Sequence, residues 1–376
     1  MSQILILGAS YGSLLAAKLL LAGHSVRLVC LPAEADLINR EGFRVRLPVK
    51  GRDGLVEVDS RRLPGRATAS GTAGVEPGDY DLVALAMQEP QYGAAGVREL
   101  LQAIAVARVP CMSIMNMPPL TYLARIPALQ SGARLDSRPD GTRARTREQN
   151  VESDAALRQC YTDPTVWDAF DPALMTLCSP DPQAFRPPDA AVNVLQVSLP
   201  TNFKAARFES DAHTALLRSL AADIEAARFD TGDGNVELPV KLKVHESIFV
   251  PLAKWSMLLT GNYRCVEQDA MRSIRDAVHA DLGASSAVYR FVGDVCKALG
   301  ARDEDLVPFE KYAHAALGLT RPSSAARALA AGARNIERVD RLVQRVAGQV
   351  GMQLPAIDDI VSRVDRWLAG NRSKAA

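Results

Sequence analysis

The chain has 376 residues, 48% of them apolar, and its 44 basic and 43 acidic side chains leave a formal charge of +1. That length exceeds what one ordinary hydrophobic core organises, so two domains are expected. The balanced charge removes the electrostatic reason to expect a nucleic acid or an anionic membrane as partner, and no apolar run approaches the roughly 20 residues that span a bilayer.

In chain order, Met1-Ser2-Gln3 lacks the basic start of a secretory signal, and Ile4-Leu5-Ile6-Leu7 reads as a strand buried on both faces. Gly8 to Ser13 interrupts the run, residues 14–22 read as a helix closed by Gly23, and residues 26–30 form a second strand, which completes a βαβ unit. Residues 43–47 and 55–58 are β-type, and the Gly/Ala/Thr/Ser stretch over 65–78 reads as a flexible connection. A strand over 81–86, a helix over 97–107 and a strand over 111–115 follow, the last halted at Asn116-Met117-Pro118-Pro119.

Residues 131–150 are polar and carry Arg134, Arg138, Arg143, Arg145 and Arg147. They read as a solvated excursion extending to about residue 190, with an anion-gripping lid as the sharper alternative. The β-type pattern returns over 192–208, before a helix at 212–226. After about residue 240 only helices are expected, an apolar one over 247–263 and others near 266–281, 283–299, 308–316, 323–348 and 356–369. The fold class is therefore α/β, a Rossmann-type doubly wound sheet over residues 1–240 followed by an all-helical domain over 241–376. Six scattered cysteines without a CxxC pair suit a reduced, cytoplasmic protein with no metal site.

A glycine turn between a first strand and a first helix brings backbone N–H groups and the helix N-terminus against a pyrophosphate. Gly8, Ala9, Ser10, Tyr11, Gly12 and Ser13 occupy that place, with Ser10 where the second glycine of GxGxxG belongs. Beyond the second strand, Cys30-Leu31-Pro32-Ala33-Glu34 has neither an acid nor a base at the usual ribose-reading point. Glu34 lies within reach of a ribose, with Asp36 and Arg40 beyond it, so NAD and NADP both stay open as cofactor.

The stretch from Pro251 to Asn262 places Lys254 inside an otherwise apolar helix. Burying an ammonium is expensive, and a desolvated lysine is a competent proton donor. Lys254, Leu258 and Asn262 are spaced for one helix face. Two readings remain: a proton donor with an orienting amide, or a snorkelling lysine with a C-terminal cap. The pair His245-Glu246 just upstream is an alternative acid–base pair or a helix cap, and His213, His279 and His314 are expected to face solvent.

On these residues the chain resembles the ketopantoate reductase (2-dehydropantoate 2-reductase) family, as a divergent member. The resemblance implies a C-terminal domain like that of 6-phosphogluconate dehydrogenase and a site in the cleft between the domains. In the family's K-x-x-x-N-x-x-x-N pattern, Lys254 and Asn262 match the first and third positions and Leu258 replaces the middle asparagine. The resemblance implies Lys254 as general acid, Asn262 as a substrate amide, and Asn116 beside both nicotinamide and substrate. Asp81, Gln88 and Gln91 follow the family's D-x-x-x-x-x-x-K-x-x-Q frame, with Gln88 at the lysine. Ser323-Ser324 and the frame from Gly351 to Pro355 place Asn335 or Ile336 at the family's substrate-binding glutamate, with Glu337 adjacent. Leu31 stands where the family has the base that reads the NADP phosphate.

Because the gripping positions differ, a substrate other than ketopantoate is expected. The reading is an NAD(P)-dependent reductase of a small 2-oxo acid or related carbonyl compound, with a small-molecule substrate, no nucleic-acid or membrane partner, and a homodimer left open. An opine-type imine reductase using His245 is one alternative; a catalytically silent nucleotide-binding protein is the other.

Overall fold

The computed structural model describes residues 1–130 and 155–374. The arginine-containing stretch 131–150 lies outside the described residues. The chain forms two compact units, one of Met1–Met87, Gln91–Tyr122 and Thr165–Pro251, the other of Gln88–Pro90, Leu123–Pro164 and Leu252–Ala376. Among the described residues, no helix is long and apolar enough to cross a membrane.

The first unit is built on β1 (Gln3–Leu7), α1 (Ala9–Leu21), β2 (Ser25–Val29) and α2 (Pro32–Glu41). The next elements are β3 (Arg44–Pro48), β4 (Leu55–Asp59), β5 (Ala67–Ser70), β6 (Leu82–Leu85), α3 (Val97–Ala107) and β7 (Cys111–Ile114). After the undescribed stretch come β8 (Met175–Ser179), β9 (Gln183–Phe185), β10 (Val194–Leu199), β11 (Phe203–Ala206) and the helix Asp211–Ala226. A small hairpin, β12 (Phe229–Asp230) with β13 (Asn235–Val236), precedes β14 (Leu242–His245).

Eight strands form one sheet in the order β14-β11-β8-β7-β6-β1-β2-β5, parallel throughout except for the antiparallel β8–β11 pair. Four more form a second sheet, β4-β3-β10-β9. Ile4, Leu5, Ile6 and Leu7 are wholly buried, as the unbroken apolar run requires. Helix α1 is apolar nearly all round because it is covered all round: it packs on β1 and β2, on β3 and β10 of the second sheet, and on the helix Asp211–Ala226. Its lysine, Lys18, is buried and donates from Nζ to Leu238 O at 2.9 Å and Pro239 O at 3.2 Å; burial pushes it down to about 8.

Six strands stand where none was expected, among them β9 in the supposed excursion and the β12–β13 hairpin. The supposed flexible connection contains β5, whose Ala-Thr-Ala-Ser sequence has little β-propensity and is held by pairing with β2. The supposed excursion to residue 190 contains β8, buried at all five positions between β7 and β11. The supposed helical stretch after residue 240 begins with β14, an edge strand of the large sheet.

The second unit holds the helices Ile274–His279, Leu282–Leu299, Phe309–Ala316, Ser324–Ala330, Val339–Gln349 and Pro355–Ser373. Ser273, Asp281 and Ser323 cap three of them by accepting from Asp276 N, Ala284 N and Ala326 N, and Gly300 closes the helix that Asp281 opens, in the left-handed region. The single helix expected over 323–348 is broken, with Gly332 at φ +88° between the two halves. Asn371 Nδ2 donates to Leu329 O at 2.9 Å and Ala333 O at 3.0 Å and so holds the break in place.

Candidate functional site

In the first unit, β7, β6, β1 and β2 run side by side in parallel. Their carboxyl ends place Asn116, Ala86, Gly8 and Leu31 along one edge of the sheet. The chain runs outward from β1 through β2 to β5 and returns to β6 on the other side of β1. Ligands bind open α/β sheets at the carboxyl edge where the connections reverse in this way.

Gly8 is the whole turn. It takes φ +104°, its N–H donates to Val29 O at 2.8 Å, and α1 begins at Ala9. A Cβ on Gly8 would lie 2.7 Å from Met87 Cγ and 2.8 Å from Ala86 O. Gly12 is already inside the helix, where a Cβ would lie 2.6 Å from Ile6 Cγ2. One glycine therefore turns the backbone and the other lets helix and strand approach. The six-residue turn expected over 8–13 is one residue followed by helix.

The first turn of α1 has no side-chain cap and no acidic residue, so its N–H groups are available to an anion. Together with the two close-packed glycines this cradle fits a pyrophosphate. Not every residue of the motif faces it. Ser13 donates to Ser10 O at 2.8 Å within the helix. Tyr11 donates from its hydroxyl to Pro182 O at 2.8 Å, and its ring meets Phe203 edge-on at 5.9 Å. Burial, and then the Asp181 carboxylate, push the Tyr11 phenol well above its ordinary range. Tyr11 is thus a post that ties the β8–β9 connection to the start of α1.

Leu31 is the N-cap residue of α2 and is 75% exposed. Glu34, in the first turn of α2, is buried and pairs with the Arg186 guanidinium. Gln88 and Gln91 are exposed, and Asn116 is half-buried beyond β7.

The expected helix over 247–263 is four short pieces: a 3-10 turn Val250–Ala253, where the second unit begins, then an α-turn Lys254–Met257, a π-turn Leu258–Asn262 and a 3-10 turn Tyr263–Cys265. Lys254 is only 9% exposed, between buried Ala253 and Trp255. The π-turn has an identifiable cause. Tyr312 donates from its hydroxyl to Met257 O at 3.1 Å, beside Gly261, where a Cβ would lie 2.1 Å from that hydroxyl. A side chain inserted into the helix ladder widens it. In a straight α-helix Asn262 would sit about 80° round from Lys254; the extra residue in the π-turn reduces that offset. Asn262 is half-buried, and its carbonyl accepts from the Ser323 hydroxyl at 2.7 Å.

Ser323 also accepts from Ala326 N, so both its hydrogen-bonding roles are structural, and Ser324 is exposed. Of the residues near the glutamate frame, Asn335 is exposed and accepts from Arg372 Nη2 at 3.0 Å, Ile336 is buried and apolar, and Glu337 is the carboxylate that turns inward. Glu337 Oε1 accepts from Glu89 N at 3.3 Å, and its carbonyl accepts from Tyr263 Oη at 2.5 Å.

Glu89, which no sequence signal marked, is buried beside it and accepts from Thr162 N at 2.8 Å and Thr162 Oγ1 at 3.0 Å. Burial pushes its carboxyl up to about 7 against those two bonds. An acid whose folded pKa is raised stabilises the fold at low pH, and that stability is lost as pH rises from about 4.5 to about 7. The expected loss is on the order of 3 kcal/mol. Glu89→Gln should flatten melting temperature against pH across that window; an unchanged slope in the variant would assign the dependence to another group.

The histidines divide. His314 is exposed as expected, but His279 is half-buried with Nε2 2.9 Å from Ala313 O, and His213 packs edge-on against Phe208 at 5.7 Å. His245 ends β14, and Glu246 beside it pairs with Arg207 and Arg218.

No protein-family model and no curated protein matches the sequence. Solved structures do match over nearly their whole length. A candidate ketopantoate reductase from Ralstonia solanacearum MolK2 is 18% identical with a TM-score of 0.62, covering 99% of each chain. The 2-dehydropantoate 2-reductase of Methylococcus capsulatus is 14% identical with a TM-score of 0.62, covering 99% of this chain and 98% of that one. The dimeric ketopantoate reductase of Staphylococcus aureus is 11% identical with a TM-score of 0.55, covering 98% and 99%. The fold is that of the ketopantoate reductases, in a sequence far diverged from them.

Proposed function

We propose that the chain is a pyridine-nucleotide-dependent reductase of a small 2-oxo acid or a related carbonyl compound. The observation that carries the proposal is Lys254, an ammonium 9% exposed in an apolar helix that opens into a π-turn, in a chain with the ketopantoate reductase fold. Single π-turns concentrate at functional sites, and a buried lysine needs a reason to be there.

The nucleotide is assigned to the first unit, with its pyrophosphate on the amides of Ala9, Ser10 and Tyr11 and with Gly8 and Gly12 keeping the approach clear. A reduced nicotinamide, when bound, supplies hydride to the carbonyl carbon. Lys254 gives a proton from Nζ to the carbonyl oxygen as that oxygen gains charge. The side-chain amides of Asn116 and Asn262 orient the substrate, and the Glu337 carboxylate binds a donor group on it. A cytoplasmic, dimeric protein goes with this reading: the cysteines are free, and the Staphylococcus aureus protein of the same fold is a dimer. The imine-reductase alternative is weakened because Glu246, the carboxylate that would tune His245, is held by two arginines. A silent nucleotide binder has no use for Lys254.

The proposal is tested by nucleotide binding and by oxidation of the reduced cofactor in the presence of a panel of 2-oxo acids. Gly12 is unsuitable for mutation, since any side chain there meets Ile6. Ser10→Asp adds an acid to the first turn of α1, which favours the helix by about 0.3–1 kcal/mol. It should weaken NADPH and NADH binding roughly tenfold or more by like-charge repulsion. Unchanged affinity in that variant would move the nucleotide elsewhere.

A further inference from the structure

We infer that Arg186 reads the adenosine ribose in this chain and selects a 2′-phosphorylated dinucleotide. The inference rests on the nucleotide site proposed above, and it decides for the phosphorylated cofactor where the residues after the second strand leave both open.

The residues after the second strand of a dinucleotide-binding unit face the adenosine ribose, where an acid favours an unphosphorylated ribose and a base favours a phosphate. Leu31 there is apolar. Glu34 is the first carboxylate beyond it, and it is turned inward: its side chain is 9% exposed and bonded to Arg186, whose own side chain is 34% exposed. The group presented outward by this pair is the cation. Burial raises the Glu34 carboxyl, with Arg186 opposing, and burial pushes the neighbouring Cys30 thiol up to about 12. An apolar setting of this kind strengthens a guanidinium–phosphate bond.

Among the described residues, the other bases near this edge are already used or misplaced. Arg27 donates to Ser70 Oγ at 2.9 Å and Gly74 O at 3.2 Å on the β5 side. Arg40 is six residues beyond Glu34, about 9 Å further along α2, and pairs with Glu41. A guanidinium has five N–H donors in a rigid fork, so one can hold Glu34 while others grip a phosphate. Arg186 directly follows β9, the strand after the connection that Tyr11 ties to the start of α1 through Pro182.

Binding of ADP-ribose and of 2′-phospho-ADP-ribose, measured by calorimetry on the full chain, tests this without turnover. The phosphorylated probe is expected to bind roughly ten- to a hundredfold tighter, the scale of a charge-assisted bond. Arg186→Met should abolish that preference while leaving ADP-ribose affinity largely unchanged. Because this substitution leaves Glu34 buried without its guanidinium, the double variant Arg186→Met/Glu34→Gln should show the same loss in a better-folded background. Glu34→Gln alone should keep the preference. Equal binding of the two probes by the natural chain, or a preference retained in the double variant, overturns the inference and leaves the nucleotide site standing. Failure of both probes to bind overturns the site itself and the inference with it.

Discussion

Lys254→Ala is expected to lower turnover by about 10²–10⁴-fold, the usual contribution of a general acid, while leaving nucleotide affinity nearly unchanged. The proton is needed only as the carbonyl oxygen becomes an alkoxide, so the loss should fall on kcat and not on cofactor binding. Lys254→Arg should not rescue activity, because a guanidinium stays charged near neutral pH and cannot give up its proton. Steady-state kinetics beside direct nucleotide titration separate the cases. Near-normal turnover in both variants would remove the proton-donor role. A parallel loss of kcat, nucleotide affinity and melting temperature would instead make the lysine a structural residue. Gly261 and Tyr312 hold the π-turn that follows Lys254, so this lysine's surroundings depend on contacts far apart in sequence.

Asp340→Ala should be the most destabilising single substitution considered, at about 3–5 kcal/mol. Asp340 is fully buried at the start of the helix Val339–Gln349 and takes a two-pronged bond from Arg338, with Nε to Oδ1 and Nη2 to Oδ2 both 2.9 Å. Arg338 also donates to Asp365 at 2.6 Å, and Asp365 pairs with Arg341. Removing Asp340 leaves the Arg338 guanidinium short of a partner in a buried setting and takes an acid from a helix N-terminus. A drop in melting temperature of roughly 10 °C is expected for a unit of this size. The double replacement Arg338→Met/Asp340→Leu should recover most of it, since apolar residues of similar volume often replace a buried ion pair without loss. If the single variant melts with the natural chain, the network is not holding the segment. That segment carries Glu337, so its loss should also reach the site.

By itself the sequence determined the elements whose signals are local. The run Ile4 to Leu7 could only be a doubly buried strand, α1 follows from its Ala- and Leu-rich sequence and α3 from apolar periodicity, and Gly8 and Gly12 kept their places because a turn and a close approach each exclude a side chain. Lys254 stood out for the same kind of reason, as a charge in an apolar run. Tertiary structure alone decided the rest. Strands β5 and β8 exist because neighbouring strands supply their hydrogen bonds, which composition does not record. The helix over 247–263 is broken by a tyrosine hydroxyl some fifty residues onward. Glu337, and not Asn335 or Ile336, became the inward carboxylate because the chain breaks at Gly332 and Arg338 anchors to Asp340. Glu34 turns inward onto Arg186, 152 residues away, which leaves the cation as the outward group of the pair. Such pairings join groups across the chain through space, where burial strengthens them, and no spacing along the sequence encodes which two will meet.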